Sequence, residues 1–349
     1  MRIKRNYQIN QHPGIRAWED YLSKTPCAAI FHTPEIYRVF QNTKNYKPLV
    51  YTLEIENEIV AMLNPVLVSL KSGHMRHLTT RAIHYAGPLY INNREGIDSL
   101  FILLHHYLSD IKKQALFSEF RNLSDINAIK GRLEQTGWKH EPHINYWIHL
   151  NRPLDNIWND FHKSARRNIK LAEKKGVIFK EITDIRLIPK FYTILERTFT
   201  FKNVSLPDYS LFEQVFKVLV PKGYARFDLA HANNQYFACF LSLLYKGVIY
   251  LFYTADDFTM RNYYPTDGYI WYILNWGKQN GYHLFDFGWA GRKDQPYGVR
   301  RFKEKFGGLQ VEYGRHVFIH KPLLLCLSKL GYALNQTFGK FNAFKYRPD

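Results

Sequence analysis

Apolar and polar positions in the first third of the chain predict a helix, a β-hairpin, a second helix and a strand. The pair Thr33–Pro34 is typical of a helix start, with threonine as the N-cap and proline at the first helical position. Apolar and β-branched residues at 49–55 and 59–63 flank a short polar turn, which is the signal of a hairpin. An amphipathic helix is predicted around residues 97–114, and a strand follows at 115–120.

The second half of the chain repeats this order of elements. A shift of 177 residues places Asn57 of the first polar turn on Asn234 of the second. The matching order and the matching turns favour an internal duplication over a chance likeness between α/β segments. The repeated elements are strands at 227–232 and 236–244 around a polar turn, an apolar strand at 248–255, a helix over 268–280 and a strand at 283–287.

The repeat predicts an α/β (α+β) chain with two tandem domains, each a mixed, mostly antiparallel sheet flanked by helices. We place the domain boundary between residues 1–150 and 151–349, because a strand there meets Pro153, which suits a strand end or a helix start. The apolar segment 322–334 is predicted to be a terminal helix docked on the protein. A helix lying on a membrane surface is the less favoured interpretation, because Lys329 is its only cation.

Residues 154–176 give the clearest local signal, an amphipathic helix with a basic face. Successive residues rotate by about 100° around a helix, which puts the apolar and cationic side chains on opposite sides, and Gly176 suits the C-terminal cap. Only Glu173 interrupts the cations, so both a solvated face and an anionic partner remain open. The apolar face is Trp158, Phe161, Ala165, Ile169 and Ala172, and the basic face is Lys163, Arg166, Arg167, Lys170 and Lys174.

A second basic cluster follows the strand at 283–287 and is rich in glycine and aromatic residues. Loops beyond strand ends are where α/β folds build binding sites, and glycine lets the backbone approach a ligand closely. Arginine makes forked contacts to phosphate, while lysine acts as a compact point charge. We therefore predict a ligand site here, in preference to a basic surface loop. Its cations are Arg292, Lys293, Arg300, Arg301, Lys303 and Lys305.

The composition adds a strong positive charge to this picture. The 349 residues include 48 Lys and Arg against 30 Asp and Glu, a net charge of +18, which predicts anionic partners such as phosphate, nucleic acid or a membrane surface. Hydrophobic residues make up 46% of the chain, which excludes intrinsic disorder. Neither a spanning helix nor a signal peptide is recognisable. Because Cys27, Cys239 and Cys326 resemble isolated thiols of a reducing compartment, we expect a cytoplasmic protein.

Several catalytic signatures are missing from the sequence. It has no Gly-x-Ser-x-Gly elbow, no Walker glycine–lysine loop and no Gly-x-Gly-x-x-Gly fingerprint, which are the marks of serine hydrolases, P-loop NTPases and Rossmann enzymes. Histidines pair at 74/77, 105/106 and 140/143, but no cysteine pairs accompany them. We interpret these histidines as surface or core residues and expect no metal.

Five segments of the chain resemble the FemA/FemB/FemX family of nonribosomal peptidyltransferases, within the GNAT-like acyltransferases. The resemblance is most specific at Asn275–Gly288 followed by Phe302–Gly307, and extends to Phe31–Glu35, Tyr85–Tyr90 and Ser164–Val177. It implies two tandem GNAT-like domains, in agreement with the repeat. No heptad run appears, so the coiled-coil arm of some members is not expected, and the chain is closer to the compact members.

The resemblance also implies a chemistry. Family members move an aminoacyl group from aminoacyl-tRNA to an amine of a cell-wall precursor, without a protein nucleophile. A neutral amine attacks an activated carbonyl, and a cation or fixed donors stabilise the oxyanion. Lys303 of the Phe-Lys-x-x-Phe-Gly motif is the expected cation, and Asp286 is expected to orient the site or take a proton. The expected substrate-binding residues are Arg38 and Lys44 for a precursor pyrophosphate, Arg166 and Arg167 for tRNA or precursor phosphates, and Tyr253, Arg300 and Arg301.

The expected function is therefore aminoacyl transfer from aminoacyl-tRNA to a peptidoglycan precursor. One alternative is an N-acyltransferase that uses acyl-CoA or an acyl carrier and acts on a lipid or sugar amine. Another is a non-enzymatic module that binds anionic ligands. The stretch 261–268, where CoA-dependent relatives carry a glycine-rich loop, is bulky and counts against CoA. No cofactor other than the donor is expected, and a peripheral contact with the inner face of a membrane is left open.

Overall fold

A computed structural model of the chain describes residues 6–70, 76, 78–295 and 297–330. The chain divides into two compact units. Unit 1 consists of residues 1–141 and 313–349, and unit 2 of residues 142–312. The backbone thus leaves unit 1 once and returns to it.

Unit 1 combines nine short strands and one later strand with four helices, and short 3-10 turns join some of them. Its elements are β1 (Tyr7–Asn10), α1 (Ile15–Lys24), α2 (Pro34–Gln41), β2 (Tyr46–Pro48), β3 (Tyr51–Ile55), β4 (Glu58–Leu63), β5 (Val66–Val68), β6 (Arg81–His84), β7 (Leu89–Tyr90), α3 (Arg94–Ile111), β8 (Phe117–Arg121), α4 (Asn127–Gln135), β9 (Lys139–Glu141) and β17 (Arg315–Ile319).

These strands form two sheets, in the orders β1-β3-β4-β7 and β2-β5-β6-β8-β17-β9. The predicted hairpin is β3–β4, and it closes through Glu56 and Asn57, whose positive φ of 53° and 66° suit a two-residue type I′ turn. Pro65, which lacks an amide donor, follows β4 and separates it from β5. Helix α3 buries Leu100 and Leu104 against both sheets, and each buried leucine contributes roughly 1.5–3 kcal/mol.

Unit 2 has one sheet and six helices in the described part of the chain. Its elements are β10 (His143–His149), α5 (Leu154–Asp160), α6 (Lys163–Lys174), β11 (Ile178–Glu181), α7 (Ile188–Phe201), α8 (Tyr209–Leu219), β12 (Ala225–Ala232), β13 (Gln235–Tyr245), β14 (Val248–Asp256), α9 (Pro265–Gln279), β15 (Leu284–Arg292), α10 (Gly298–Glu304) and β16 (Leu309–Val311).

The seven strands of unit 2 run in the order β11-β12-β13-β14-β15-β10-β16, with helices on both faces. On one face, α6 and α9 pack Ile169 and Tyr269 against Phe240 of β13. Successive residues of a strand point to opposite faces, so Phe227 and its neighbours on the other face meet α7 and α8. There the ring of Phe191 lies 5.0 Å from that of Phe227.

Both units share one strand pattern. In each sheet of six or seven strands, one central pair is parallel, β6–β8 in unit 1 and β14–β15 in unit 2, and the other neighbours are antiparallel. The second hairpin, β12–β13, also turns through two residues of positive φ, Asn233 and Asn234. The predicted fold class, with tandem GNAT-like domains and mixed, mostly antiparallel sheets, is confirmed.

The two units differ from the domain ranges predicted from the sequence, 1–150 and 151–349. The strand that was expected to close the first domain is β10, and it lies between β15 and β16 of unit 2. Likewise β17 lies between β8 and β9 of unit 1, although the sequence order predicts it in the second domain. Strand pairing between residues far apart in the chain decides both assignments, and a local pattern does not contain that information.

The helix predicted over 154–176 is in fact two helices, α5 and α6. His162 interrupts them, because its side chain accepts the Ser164 amide as an N-cap and its own amide donates to the carbonyl of Lys305 at 2.8 Å. The apolar face of α6 is buried as predicted. Its cations Lys163, Arg167, Lys170 and Lys174 are exposed, and none of them forms an ion pair within the described residues.

The predicted terminal helix is present over residues 322–330, while 331–334 lie outside the described residues. Leu325 is buried, in agreement with docking, but Leu323, Leu327 and Leu330 are exposed. The expectation of a fully docked helix is therefore wrong for one of its faces. In the described part of the chain, every helix is too short or too polar to cross a membrane.

Candidate functional site

The parallel strands β14 and β15 separate soon after they start, and this divergence is the centre of the candidate site. They pair at only three positions, of which the last joins Tyr250 to Asp286. Strand β14 continues to Asp256 and β15 to Arg292 without further pairing between them. Backbone groups on the facing edges are thus not used by the β14–β15 ladder, and an opening between two strands offers them to a ligand.

Two bulges bend β15 away from β14. The register of β15 against β10 shifts between Asp286 and Trp289, and again between Trp289 and Arg292. Gly288 and Gly291 lie in these shifts with φ of +68° and +85°, a backbone conformation that side chains disfavour. The glycines that follow the Phe-Asp-Phe strand therefore set its bend.

Asp286 lies buried at the point of divergence. Its Oδ1 accepts the amide of Gly288 at 2.7 Å, and Asn145 Nδ2 lies 3.4 Å from the same oxygen. Burial raises the pKa of Asp286 to about 6, although the Gly288 amide, the side chain of Trp147 and the charge of Lys303 oppose the rise. A carboxylate with a pKa near neutrality is suited to proton transfer.

Lys303 comes from α10 and reaches the bend of β15 from below. Its buried Nζ donates to the carbonyl oxygens of Phe287, Gly288 and Trp289, at 2.6, 3.1 and 2.8 Å. Burial lowers the pKa of Lys303 to about 8, and Asp286 opposes the fall. All three donors of the ammonium group are engaged by the backbone, so the predicted direct contact of Lys303 with an ester oxygen would require it to leave these carbonyls.

The other predicted residues of unit 2 are divided between backbone support and surface. Arg300 donates to the carbonyls of Ala290, Arg292 and Lys293 and so holds the loop after β15. The ring of Tyr253 packs 5.0 Å from that of Phe212, and Tyr253 is half-buried. Arg166 donates to the carbonyl of Asn159, while Arg167 and Arg301 are exposed.

Arg38 and Lys44, the residues predicted to bind a pyrophosphate, belong to unit 1. Arg38 is exposed on α2, which begins at Thr33 as predicted, with the Thr33 hydroxyl accepting the amide of Ile36. Lys44 is exposed in the turn after α2. Helix α2 places both cations on the surface of unit 1.

Sequence reasoning missed an ionic contact at the start of α9. Asp267, in the first turn of this helix, accepts Lys305 Nζ at 2.5 Å and Asn168 Nδ2 at 3.2 Å. Burial raises the pKa of Asp267, and Lys305 opposes the rise. Gly268, the only glycine of the stretch 261–268, faces Phe179 and Ala172, where a Cβ would lie 3.0 and 3.1 Å away. This glycine therefore serves helix packing.

A second missed cluster lies on the six-stranded sheet of unit 1. The buried carboxylate of Glu119 accepts donors from Arg121, at 3.3 Å, and from Arg315, while Arg81 contributes its charge. Burial alone would raise the pKa of Glu119, but the three guanidinium groups overcome it and lower the pKa to about 2. The pairing of Arg121 with Arg315 across two strands explains why local patterns did not reveal it.

A search of the described residues for metal sites found no group of three or more His, Cys, Asp or Glu that could hold an ion. His84 is buried in unit 1, and burial lowers its pKa to about 3. His140 is stacked beside His316 at a ring distance of 5.0 Å. These two pairs of contacts place histidines among other side chains of unit 1.

Residues 159–304, nearly all of unit 2, match the acetyltransferase (GNAT) domain family. The protein is a GNAT-type acyltransferase. It is accordingly an enzyme, and the alternative of a non-enzymatic binding module is set aside. The match includes the divergent strands, Asp286 and Lys303, so the candidate site lies within the part of the acyltransferase that defines the family.

Solved structures share the fold of this GNAT-type acyltransferase over nearly its whole length. FemX is 14% identical, with a TM-score of 0.69 over 93% of this chain and 100% of FemX. A tandem GNAT protein from the clavulanic acid biosynthesis pathway is 11% identical, with a TM-score of 0.57 over 90% of this chain and 99% of that one. The C-terminal domain of a putative lysylphosphatidylglycerol synthetase from Agrobacterium fabrum is 13% identical, with a TM-score of 0.57 over 90% and 94%.

A search of curated proteins found no match in sequence. The resemblance to FemA, FemB and FemX, within the GNAT-like acyltransferases, is confirmed as a fold by the FemX structure and as a GNAT domain by the family match.

Proposed function

We propose that the protein transfers an aminoacyl group from aminoacyl-tRNA to an amine of a peptidoglycan precursor. The amine nitrogen attacks the ester carbonyl, the new C–N bond forms, and the C–O bond to the tRNA ribose breaks. The proton lost by the nitrogen ends on the ribose oxygen. No covalent enzyme intermediate is needed, because the ester is already activated.

One observation carries the choice of donor: the first turn of α9 is filled by the carboxylate of Asp267. GNAT enzymes that use acyl-CoA bind its diphosphate at the corresponding helix start, where backbone amides and the helix dipole attract anions. Here a buried carboxylate, held by Lys305 and Asn168, already occupies that turn. A diphosphate would meet a like charge and bulky side chains instead of a glycine cradle, so the residues present do not fit CoA.

The basic face of α6 supports the same choice. Asn168 of α6 bonds Asp267, and Lys175, just beyond α6, donates to the carbonyl of Asn262 at 2.7 Å, so α6 lies directly against the start of α9. Its exposed, unpaired cations repel each other unless an anion approaches. A tRNA backbone supplies regularly spaced phosphates and would neutralise this row, with release of counterions.

Within the site, we assign the proton-handling role to Asp286 and a positioning role to Lys303. Lys303 holds three carbonyls of β15 on one side of the strand, which orders the bend, and its charge strengthens the donor character of the peptide groups it binds. The ester carbonyl would lie between β14 and β15, where backbone amides stabilise the oxyanion. Arg38 and Lys44 are proposed contacts for the precursor's pyrophosphate.

The decisive experiment mixes the purified protein with a precursor and either aminoacyl-tRNA or acyl-CoA. We expect the precursor to gain the mass of one aminoacyl residue with the tRNA donor, and treatment with RNase beforehand should abolish the gain. We also expect no thermal stabilisation by CoA. Transfer that depends on acyl-CoA and ignores RNase would replace this proposal with the N-acyltransferase alternative.

A further inference from the structure

The terminal helical residues 322–330 are fixed to unit 1 at their start. The amides of His320 and Lys321 both donate to the carbonyl of Leu116, at 2.9 and 3.1 Å, and the Leu325 amide donates to the Lys321 carbonyl. Leu325 is only 9% exposed. One face of this segment therefore rests on unit 1.

A different face of the same segment is apolar and open to solvent. Leu323, Leu327 and Leu330 are 82%, 61% and 57% exposed. Spacings of four and three residues bring them to one side of a helix, where they form a leucine ridge. Isolated exposed leucines are ordinary in soluble proteins, but three in a row on one helix mark a surface that binds something apolar.

Cations surround the start and the flank of the leucine ridge. Lys112 and Lys113 are exposed at the end of α3, and Lys321 Nζ donates to the carbonyl of Lys113 at 2.7 Å. Lys329 is exposed beside the ridge. Residues 320–330 include no Asp or Glu. The ridge is thus apolar in its centre and positively charged at its edge.

We propose that the leucine ridge is a membrane-binding surface that inserts between the lipids of an anionic bilayer. An apolar helix face that enters the acyl boundary, with lysines that reach the phosphate groups, is the arrangement of interfacial helices. A second copy of the chain fits less well, because a two-fold contact through the ridge would bring the same lysines against each other. The proposal does not depend on the donor or the acceptor of the transfer reaction.

The test measures cosedimentation of the full chain with lipid vesicles. We expect binding to vesicles that contain phosphatidylglycerol and much weaker binding to pure phosphatidylcholine. Replacing the three ridge leucines (Leu323→Ser, Leu327→Ser, Leu330→Ser) should reduce partition to anionic vesicles by about tenfold or more, because each exposed leucine contributes to insertion. All three side chains are exposed, so the fold should be retained.

A matched control changes three other exposed apolar residues, on unit 2: Phe201→Ser, Val204→Ser and Phe258→Ser. This variant should bind vesicles like the unchanged protein. A third variant, Lys112→Gln with Lys113→Gln and Lys329→Gln, should lose most of the preference for anionic lipid.

Three results would overturn the proposal. Unchanged protein that stays in solution with anionic vesicles would remove its basis. Equal loss of binding in the ridge variant and the control would show non-specific attraction. A dimer that becomes a monomer only in the ridge variant, as measured by light scattering, would reassign the leucine ridge to self-association.

Discussion

The two parallel strand pairs have the same register length but carry different chemistry at their last position. In unit 1 the pair β6–β8 ends with His84 opposite Phe120, whose rings lie 4.3 Å apart in the core. In unit 2 the pair β14–β15 ends with Tyr250 opposite Asp286. The same topological position thus holds an apolar ring in one unit and a buried carboxylate in the other.

The space beyond these positions differs in the same sense. In unit 1, Asn122 follows β8, and its Nδ2 donates to the carbonyls of Tyr313 and Gly314, at 3.2 Å each. Its Oδ1 lies so near Gly87 that a Cβ there would be 3.1 Å away. In unit 2 the strands diverge around two glycine bulges. The comparison teaches that a duplicated scaffold can use one copy for structure and keep the other for chemistry.

The largest expected effect comes from Lys303→Met. This change leaves three buried carbonyls without their donor and removes the charge below the bend, so we expect turnover to fall by about a hundredfold to a thousandfold. Initial rates of aminoacyl transfer provide the measurement. Lys293→Met is the control, because Lys293 is an exposed lysine of the next loop, and its ion pair with Glu312 is worth about 1 kcal/mol or less. Similar losses in both variants would refute a special role for Lys303.

Asp286→Asn tests whether the carboxylate in unit 2 handles protons. With a pKa of about 6, Asp286 is ionised at neutral pH and becomes protonated below 6. The transfer rate of the unchanged enzyme should therefore fall about tenfold per pH unit below that value. The Asn variant should be slower by roughly a hundredfold and lack this dependence. A variant that keeps the same acid limb would assign it to another group.

Glu119→Gln tests the contrasting role of charge in unit 1. The pKa of Glu119 is lowered from 4.5 to about 2, so the stability it contributes is complete above pH 4.5 and is lost as the pH falls towards 2. A difference of about 2.5 pKa units corresponds to roughly 3 kcal/mol in the free energy of unfolding at neutral pH. Urea unfolding should detect the loss at pH 7 and little difference near pH 2. The transfer rate per folded molecule should stay unchanged.

The smallest effect is expected from the basic face of α6. A quadruple variant with glutamine at 163, 167, 170 and 174 should bind tRNA with a shallower salt dependence, by about 3 in the slope of log K against log salt. The control removes four cations from unit 1, at Lys47, Lys112, Lys113 and Lys139, and so matches the net charge. Equal slopes for the two variants would mean that only overall charge attracts the RNA.

Local patterns were sufficient for much of the fold. The polar turns at Asn57 and Asn234 predicted both hairpins, since consecutive residues with positive φ favour asparagine. Thr33 with the following proline predicted the start of α2. Hairpins, caps and amphipathic faces depend on neighbours in the sequence, which explains these successes.

Other features depend on contacts that no local pattern contains. His162 ends α5 because its amide bonds a carbonyl of Lys305, more than a hundred residues away, and without proline or glycine at the break. The pairing of Asp267 with Lys305 likewise joins two distant elements. The motif around Lys303 did identify the lysine, but its three backbone acceptors were visible only in the folded strand.

The return of the chain to unit 1 has a consequence for the order of folding. Strand β17 is an interior strand of the six-stranded sheet, with β8 on one side and β9 on the other. On the ribosome, residues 315–319 emerge after the whole of unit 2, so the half of the protein whose synthesis begins first must wait with an unfilled place in its sheet. Unit 2 is continuous in sequence and can complete its own sheet earlier. A nascent chain stopped at residue 312 should therefore contain a folded catalytic half beside an incomplete partner.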